Sequence, residues 1–97
     1  MAKKLVEIKS KENQYIPLDD TKNFFYSNDL GLVACLLCQK FELVGMDKAI
    51  ARKVLFILKK DEGINEAIKN YWDFESPVDA QSYFNQIKRL KNQIFSS

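Results

Sequence analysis

Nine consecutive residues, Leu30 to Cys38, are all apolar or small. A helix built from them has no polar face to offer solvent, so it must be enclosed on nearly every side, at the centre of whatever forms around it. The run is far short of the roughly 20 apolar residues that cross a bilayer, which makes it core rather than anchor. Ser27-Asn28-Asp29 precedes it. Ser27 or Asn28 is predicted to cap the helix, with Asp29 in the first turn opposing the positive end of the helix dipole. The helix is predicted to run to about Gln39–Phe41.

The remaining chain supplies the shell. Its 97 residues suffice for one domain, and an apolar fraction of 46% argues for a packed core rather than disorder. Residues 1–23 are polar and lysine-rich, interrupted by Leu5-Val6-Glu7-Ile8 and Tyr15-Ile16-Pro17-Leu18. Pro17 cannot donate to a sheet ladder, which limits the second run to an edge strand or extended arm. Residues 1–23 therefore read as a flexible or weakly held arm and 24–97 as a single domain. No apolar stretch of a secretion signal follows Lys3 and Lys4, and two cysteines do not make a disulfide scaffold. The expected location is cytoplasmic, with no membrane contact.

Phe24-Phe25-Tyr26 has strand propensity. Glu42-Leu43-Val44-Gly45-Met46 reads as a second strand, with Gly45 at a bulge. Arg52 to Lys60 reads as a third, with Arg52, Val54, Phe56 and Leu58 on one face and Lys53, Leu55, Ile57 and Lys59 on the other. Ile50, Val54, Ile57 and Leu58 also fit a helix capped by Asp47. The strand is preferred because residues 43–46 need a hairpin partner, which leaves Asp47–Ala51 as the turn. Asp61 is predicted to cap a helix over 62–72 with Ile64, Ala67, Ile68, Tyr71 and Trp72 on one stripe. Ser76-Pro77-Val78-Asp79 reads as the start of the last helix, with Ser76 as cap and Pro77 at its first position. That helix carries Tyr83, Phe84, Ile87, Leu90 and Ile94 on one side and Gln81, Asn85, Lys88 and Asn92 on the other. The expected fold is α+β: a three-stranded, mostly antiparallel sheet with helices on one face, in the order β-α-β-β-α-α.

The chain contains no histidine. That removes the commonest general base, the commonest metal ligand and every Ser-His or Cys-His nucleophilic pair. Cys35-Leu36-Leu37-Cys38 has C-x-x-C spacing, but a zinc site needs four ligands, and thiols deep in an apolar helix are packing residues. Carboxylates cluster at Asp19-Asp20, Asp61-Glu62 and Asp73/Glu75/Asp79, where caps and turns account for them. Gly31, Gly45 and Gly63 form no phosphate loop. The expectation is a protein that is not an enzyme, with no cofactor and no metal site.

Charge is distributed in blocks. Residues 48–60 hold Lys48, Arg52, Lys53, Lys59 and Lys60 with no acid, residues 61–79 are acidic, and residues 80–97 hold Lys88, Arg89 and Lys91 with no acid. With the hairpin face solvated, Lys53 and Lys59 project from it together, beside Lys48 at the turn. This basic set, with Phe56 or Tyr26 nearby, suits a phosphate backbone and stacked bases, DNA or RNA. Edge protection of strands explains the same lysines without a ligand. Tyr26, Tyr71 and Trp72 are the candidate anchors for a protein partner or a homodimer, since aromatics dominate binding hot spots.

Phe25-Tyr26-Ser27-x-Asp29-Leu30, the small/apolar helix, Gly45, Val54-x-Phe56, Tyr71-Trp72 and Tyr83-Phe84-x-x-Ile87-x-x-Leu90-Lys91 together resemble a family of short bacterial and archaeal domains of unknown function. The resemblance covers residues 24–96 and departs from the family's pattern between Met46 and Arg52, which is richer in helix formers. It implies a fold and a phage or mobile-element context, and carries over no activity and no catalytic residue. The function expected is a small non-catalytic binding module for nucleic acid, acting through the basic hairpin and the last helix. The alternative is a protein-interaction or accessory protein of a phage or mobile element, an inhibitor or regulator.

Overall fold

The computed structural model describes residues 5–7, 15–17, 20–49 and 53–95. Its elements are β1 (Leu5–Glu7), β2 (Tyr15–Pro17), β3 (Phe24–Ser27), α1 (Leu30–Cys38), β4 (Leu43–Asp47), β5 (Leu55–Lys59), α2 (Ile64–Trp72) and α3 (Ala80–Phe95). From β3 onward the order is β-α-β-β-α-α, an α+β fold with a three-stranded antiparallel sheet, as the sequence led us to expect. The backbone divides into two compact units, Met1–Asn28 with Glu42–Lys60 and Asp29–Phe41 with Asp61–Ser97.

The first unit is the sheet. β5 lies at its centre, antiparallel to β3 on one side and β4 on the other. Residues 55–59 are thus strand and not helix. The competing helix capped by Asp47 fails because β5 is paired as strand on both sides; the Asp47 carboxylate accepts from the Ala49 amide at 2.9 Å in the turn that leaves β4. The register shifts between Leu43 and Gly45, so Val44 is the extra residue of a bulge beside the glycine. Being central, β5 buries Phe56, Ile57 and Leu58 in succession. This corrects the expected solvated hairpin face: Ile57 is fully buried, packed by Phe24 and Tyr26 of β3 and by Val44. The turn into β3 is held by Asp20, whose carboxylate accepts from the Asn23 amide and side chain. β1 and β2 pair antiparallel, Leu5 opposite Pro17.

The second unit is helical. Leu32, Val33, Ala34, Cys35 and Leu36 are five successive buried positions, more than one full turn. α1 is therefore enclosed all round, and α2 and α3 both pack against it. Its cap is Asp29, whose carboxylate accepts from the Leu32 amide at 3.0 Å, rather than Ser27 or Asn28; Ser27 is still paired in β3. α1 stops at Cys38, short of the expected end. The amide of Lys40 donates to Leu37 and that of Phe41 to Leu36, a Schellman motif with Lys40 in the left-handed region at φ 74°.

Two further helix starts differ from expectation. α2 begins at Ile64, two residues late, because Gly63 turns the chain at φ 88°. α3 begins at Ala80. Its cap is Asp79, which accepts from the Ser82 amide at 2.9 Å, and Ser76-Pro77-Val78 stays outside the helix. An acid three residues after the serine served as the cap itself, since a carboxylate caps as well as a hydroxyl.

α2 ends like α1. Phe74 donates its amide to Tyr71 and Glu75 donates to Asn70, with Phe74 at φ 59°. Glycine is the usual residue there, because a Cβ in this conformation costs about 1–2 kcal/mol. The ring gives nothing back by burial, being 96% exposed. Phe74→Gly should therefore stabilise the fold by roughly 0.5–1 kcal/mol, net of the glycine's greater freedom when unfolded. Thermal melting by circular dichroism should show a midpoint a few degrees higher; a lower midpoint would mean the ring contributes to folding.

Candidate functional site

The predicted basic residues divide between the two units. In the sheet unit, Lys59 and Lys60 stand exposed at the end of β5, and the Lys60 ammonium donates to the Thr21 carbonyl at 2.9 Å. Lys48 follows β4, and Lys53 is exposed two residues before β5 begins. Lys53 and Lys59 thus lie at opposite ends of the strand, roughly 20 Å apart at 3.3 Å per residue, and do not project together. Arg52 and Asp19 lie outside the described residues.

In the helical unit, Lys88, Arg89 and Lys91 are exposed on α3. Here the structure reveals a pattern the sequence reading missed. Phe84 was expected among the core positions but is 59% exposed, and Phe95 is 84% exposed. Phe84, Lys88, Lys91 and Phe95 fall at i, i+4, i+7 and i+11, a single line about 16 Å long on the helix. The Lys88 ammonium lies 5.5 Å from the centre of the Phe84 ring, a cation–π contact. Arg89 points elsewhere, its guanidinium 3.5 Å from the Gln86 side-chain oxygen. The signal was available in the eleven-residue spacing, since Ile87, Leu90 and Ile94 define the inward face without the two phenylalanines.

The three candidate aromatic anchors have different fates. Tyr26 is half-buried in the sheet unit, and its hydroxyl accepts from the Asp20 amide at 3.1 Å, which makes it a scaffold residue. Trp72, expected on the buried stripe of α2, is 56% exposed and meets the Tyr71 ring edge-on at 4.9 Å. Tyr71 is half-buried beside the amino-terminal end of α1. Its hydroxyl bonds to Tyr83, whose own hydroxyl donates to the Gly31 carbonyl at 3.2 Å. A Cβ on residue 31 would lie 2.6 Å from the Tyr71 hydroxyl and 3.0 Å from that of Tyr83, so any larger residue would require the tyrosines to shift. Burial, then Tyr83 and Asp29, push the Tyr71 phenol up to about 12.

Cys35 is buried and accepts a hydrogen bond from the Gln39 side chain. Cys38 is half-buried, and burial followed by Cys35 and Asp79 raises its thiol. This fits packing residues better than a reactive pair. Among the described residues, no three His, Cys, Asp or Glu side chains come together as a metal-ligand group, and no helix is long and apolar enough to cross a membrane.

The fold and its surface define a small α+β domain with basic and aromatic side chains turned outward. Residues 22–96 match the family described as Domain of unknown function (DUF5659), and the chain belongs to that family. No curated protein and no solved structure matches it.

Two predictions follow from the tyrosine corner. Gly31→Ala should destabilise by about 1–3 kcal/mol through overpacking, although alanine is the better helix former. Adding Tyr71→Phe should recover part of that loss in a double-mutant cycle of denaturant midpoints. The second concerns pH. Above pH 10.0, the ordinary phenol value, the unfolded chain loses the Tyr71 proton while the folded chain keeps it, so stability falls between there and about pH 12. Tyr71→Phe should flatten this alkaline decline in urea titrations; an unchanged slope would place its origin elsewhere.

Proposed function

We propose that this protein is a small cytoplasmic, non-catalytic binding module that contacts single-stranded nucleic acid through α3. The observation that carries the reading is the exposed line Phe84, Lys88, Lys91 and Phe95 on a helix with no acidic residue between Ala80 and Phe95. Cations set between exposed rings are what a single strand asks of a surface: charge for the phosphates, π-faces for unstacked bases. Lys59 and Lys60 supply further positive charge in the sheet unit. The absence of histidine from the chain supports the non-catalytic part of the reading.

The test is fluorescence anisotropy with labelled oligo-dT and oligo-U over a salt series. Affinity should fall steeply with salt, with a slope of about −0.7 per phosphate neutralised. Lys88→Glu with Lys91→Glu should lower affinity by about tenfold or more and flatten the slope. Phe84→Ala should weaken binding by about 1–3 kcal/mol and leave the slope alone, because stacking releases no counterions. No binding to either oligonucleotide at low salt would overturn the reading.

One observation favours a second reading. Trp72 and Phe74 are large exposed aromatics two residues apart where α2 ends, the kind of residue that anchors a protein partner. An accessory or regulatory protein of a phage or mobile element would use them. Co-purification from the native host, lost on Trp72→Ala, tests it.

A further inference from the structure

Cys35, Tyr71, Phe74, Ser76, Val78 and Tyr83 line an open pocket of about 270 Å³ within the helical unit. It is slightly smaller than the roughly 300–1,000 Å³ of sites for drug-sized ligands, and suits one head group with a few carbons. Three of its six walls are aromatic and none is a charged residue. Two features of the walls are not explained by folding. Phe74 keeps a fully exposed ring in a left-handed conformation that glycine would adopt more easily. The Ser76 hydroxyl oxygen is buried without a hydrogen-bond partner, and a native protein rarely leaves such a group unused.

The stretch that supplies five of the pocket's six lining residues is acidic. Asn70 to Ile87 contains Asp73, Glu75 and Asp79 and no lysine or arginine. Glu75 and Asp79 are sequence neighbours of the pocket residues Phe74, Ser76 and Val78. Behind the tyrosine hydroxyls stands Asp29, whose carboxylate oxygen lies 3.5 Å from the point that a Cβ on residue 31 would occupy. Burial is the largest cause of the upward shifts of Tyr71 and Cys38; Asp29 and Asp79 add to them after Tyr83 and Cys35 respectively, and Lys40 opposes the shift of Cys38. Lys69 is the nearest cation in the chain before this stretch, and its ammonium is already paired with Asp73 at 2.9 Å. Aromatic walls favour an organic cation, and the acidic stretch and the buried hydroxyl oxygen favour it further.

We infer that this pocket binds an alkylammonium group, its N–H directed at the Ser76 hydroxyl and its carbons against the rings of Tyr71, Phe74 and Tyr83. The inference is independent of the nucleic-acid reading. The source is either a free amine or a lysine side chain, and the same experiment distinguishes them.

The experiment is a titration of the full chain with n-butylammonium, with a Gly-Lys-Gly peptide and with that peptide Nε-acetylated, followed by amide chemical shifts. Both cationic probes should saturate, with shifts concentrated in residues 71–83. The acetylated peptide should bind about tenfold more weakly or not at all, since it keeps the length and loses the charge. A lysine peptide much tighter than butylammonium marks a polypeptide ligand, and equal affinities mark a free amine. Phe74→Gly, expected to fold at least as well as the natural chain, should weaken the cationic probes about fivefold. Equal binding of the acetylated peptide, unchanged binding by Phe74→Gly, or no saturable binding of any probe would each overturn the proposal.

Discussion

The helical unit depends on the absence of one side chain. α1, α2 and α3 converge at Gly31, and the space a Cβ would fill there is taken by the hydroxyls of Tyr71 and Tyr83. Each hydroxyl has a partner: Tyr71 bonds to Tyr83, and Tyr83 donates to the Gly31 carbonyl. That carbonyl belongs to the first turn of a helix buried on all sides, where an additional partner must come from protein. The contact joins residues 52 positions apart in sequence and fixes the spacing of the three helices. Glycine near a helix start is unfavourable in isolation. Here it permits a polar corner to close where a larger residue would displace the two tyrosine hydroxyls.

The capping chemistry shows how the rest is arranged around that corner. Asp29 and Asp79 both accept amides three residues on, so α1 and α3 begin with a carboxylate against the positive end of the helix dipole. α1 and α2 both end in Schellman motifs with a residue other than glycine in the left-handed position, Lys40 and Phe74. At Lys40 the strain is offset in part by a cation beside the carboxyl end of α1. At Phe74 no comparable compensation exists within the fold, and strain without local compensation is the usual mark of a residue kept for something outside it.

Much of this was legible in the residues. Leu30–Cys38 announced an enclosed helix because no face of it was polar, and the strands at 24–27, 43–47 and 55–59 followed from propensity and the need of a hairpin partner. The errors have physical causes. Ser27-Asn28-Asp29 and Ser76-Pro77-Val78-Asp79 each offer several capping side chains, and local preference does not rank them; in both cases the carboxylate nearest the helix won. The face of β5 carrying Ile57 reads as amphipathic in isolation, because lysines flank it. Its burial follows from β5 being the middle strand, which depends on pairing with a segment about 30 residues away. The line of Phe84 and Phe95 was obscured for a similar reason: a phenylalanine in an amphipathic helix is assigned to the core by default. The pocket was invisible to sequence reasoning altogether, since its walls come from three helices and the turn between two of them.

The two-unit division bears on how the chain can be dissected. Each unit is assembled from segments that alternate along the sequence, 1–28 and 42–60 for one, 29–41 and 61–97 for the other. No contiguous fragment contains the whole sheet unit without also carrying α1, and none contains the whole helical unit without carrying β4 and β5. A cut between them, at any single point, leaves at least one half-built. The β4–β5 hairpin can close locally, but β3 joins it only across an intervening helix, and loop-closure entropy makes such pairing late. Deletion mapping, the usual route to locating a binding surface, is thus denied to this fold; its surfaces must be examined by point substitution in the intact chain.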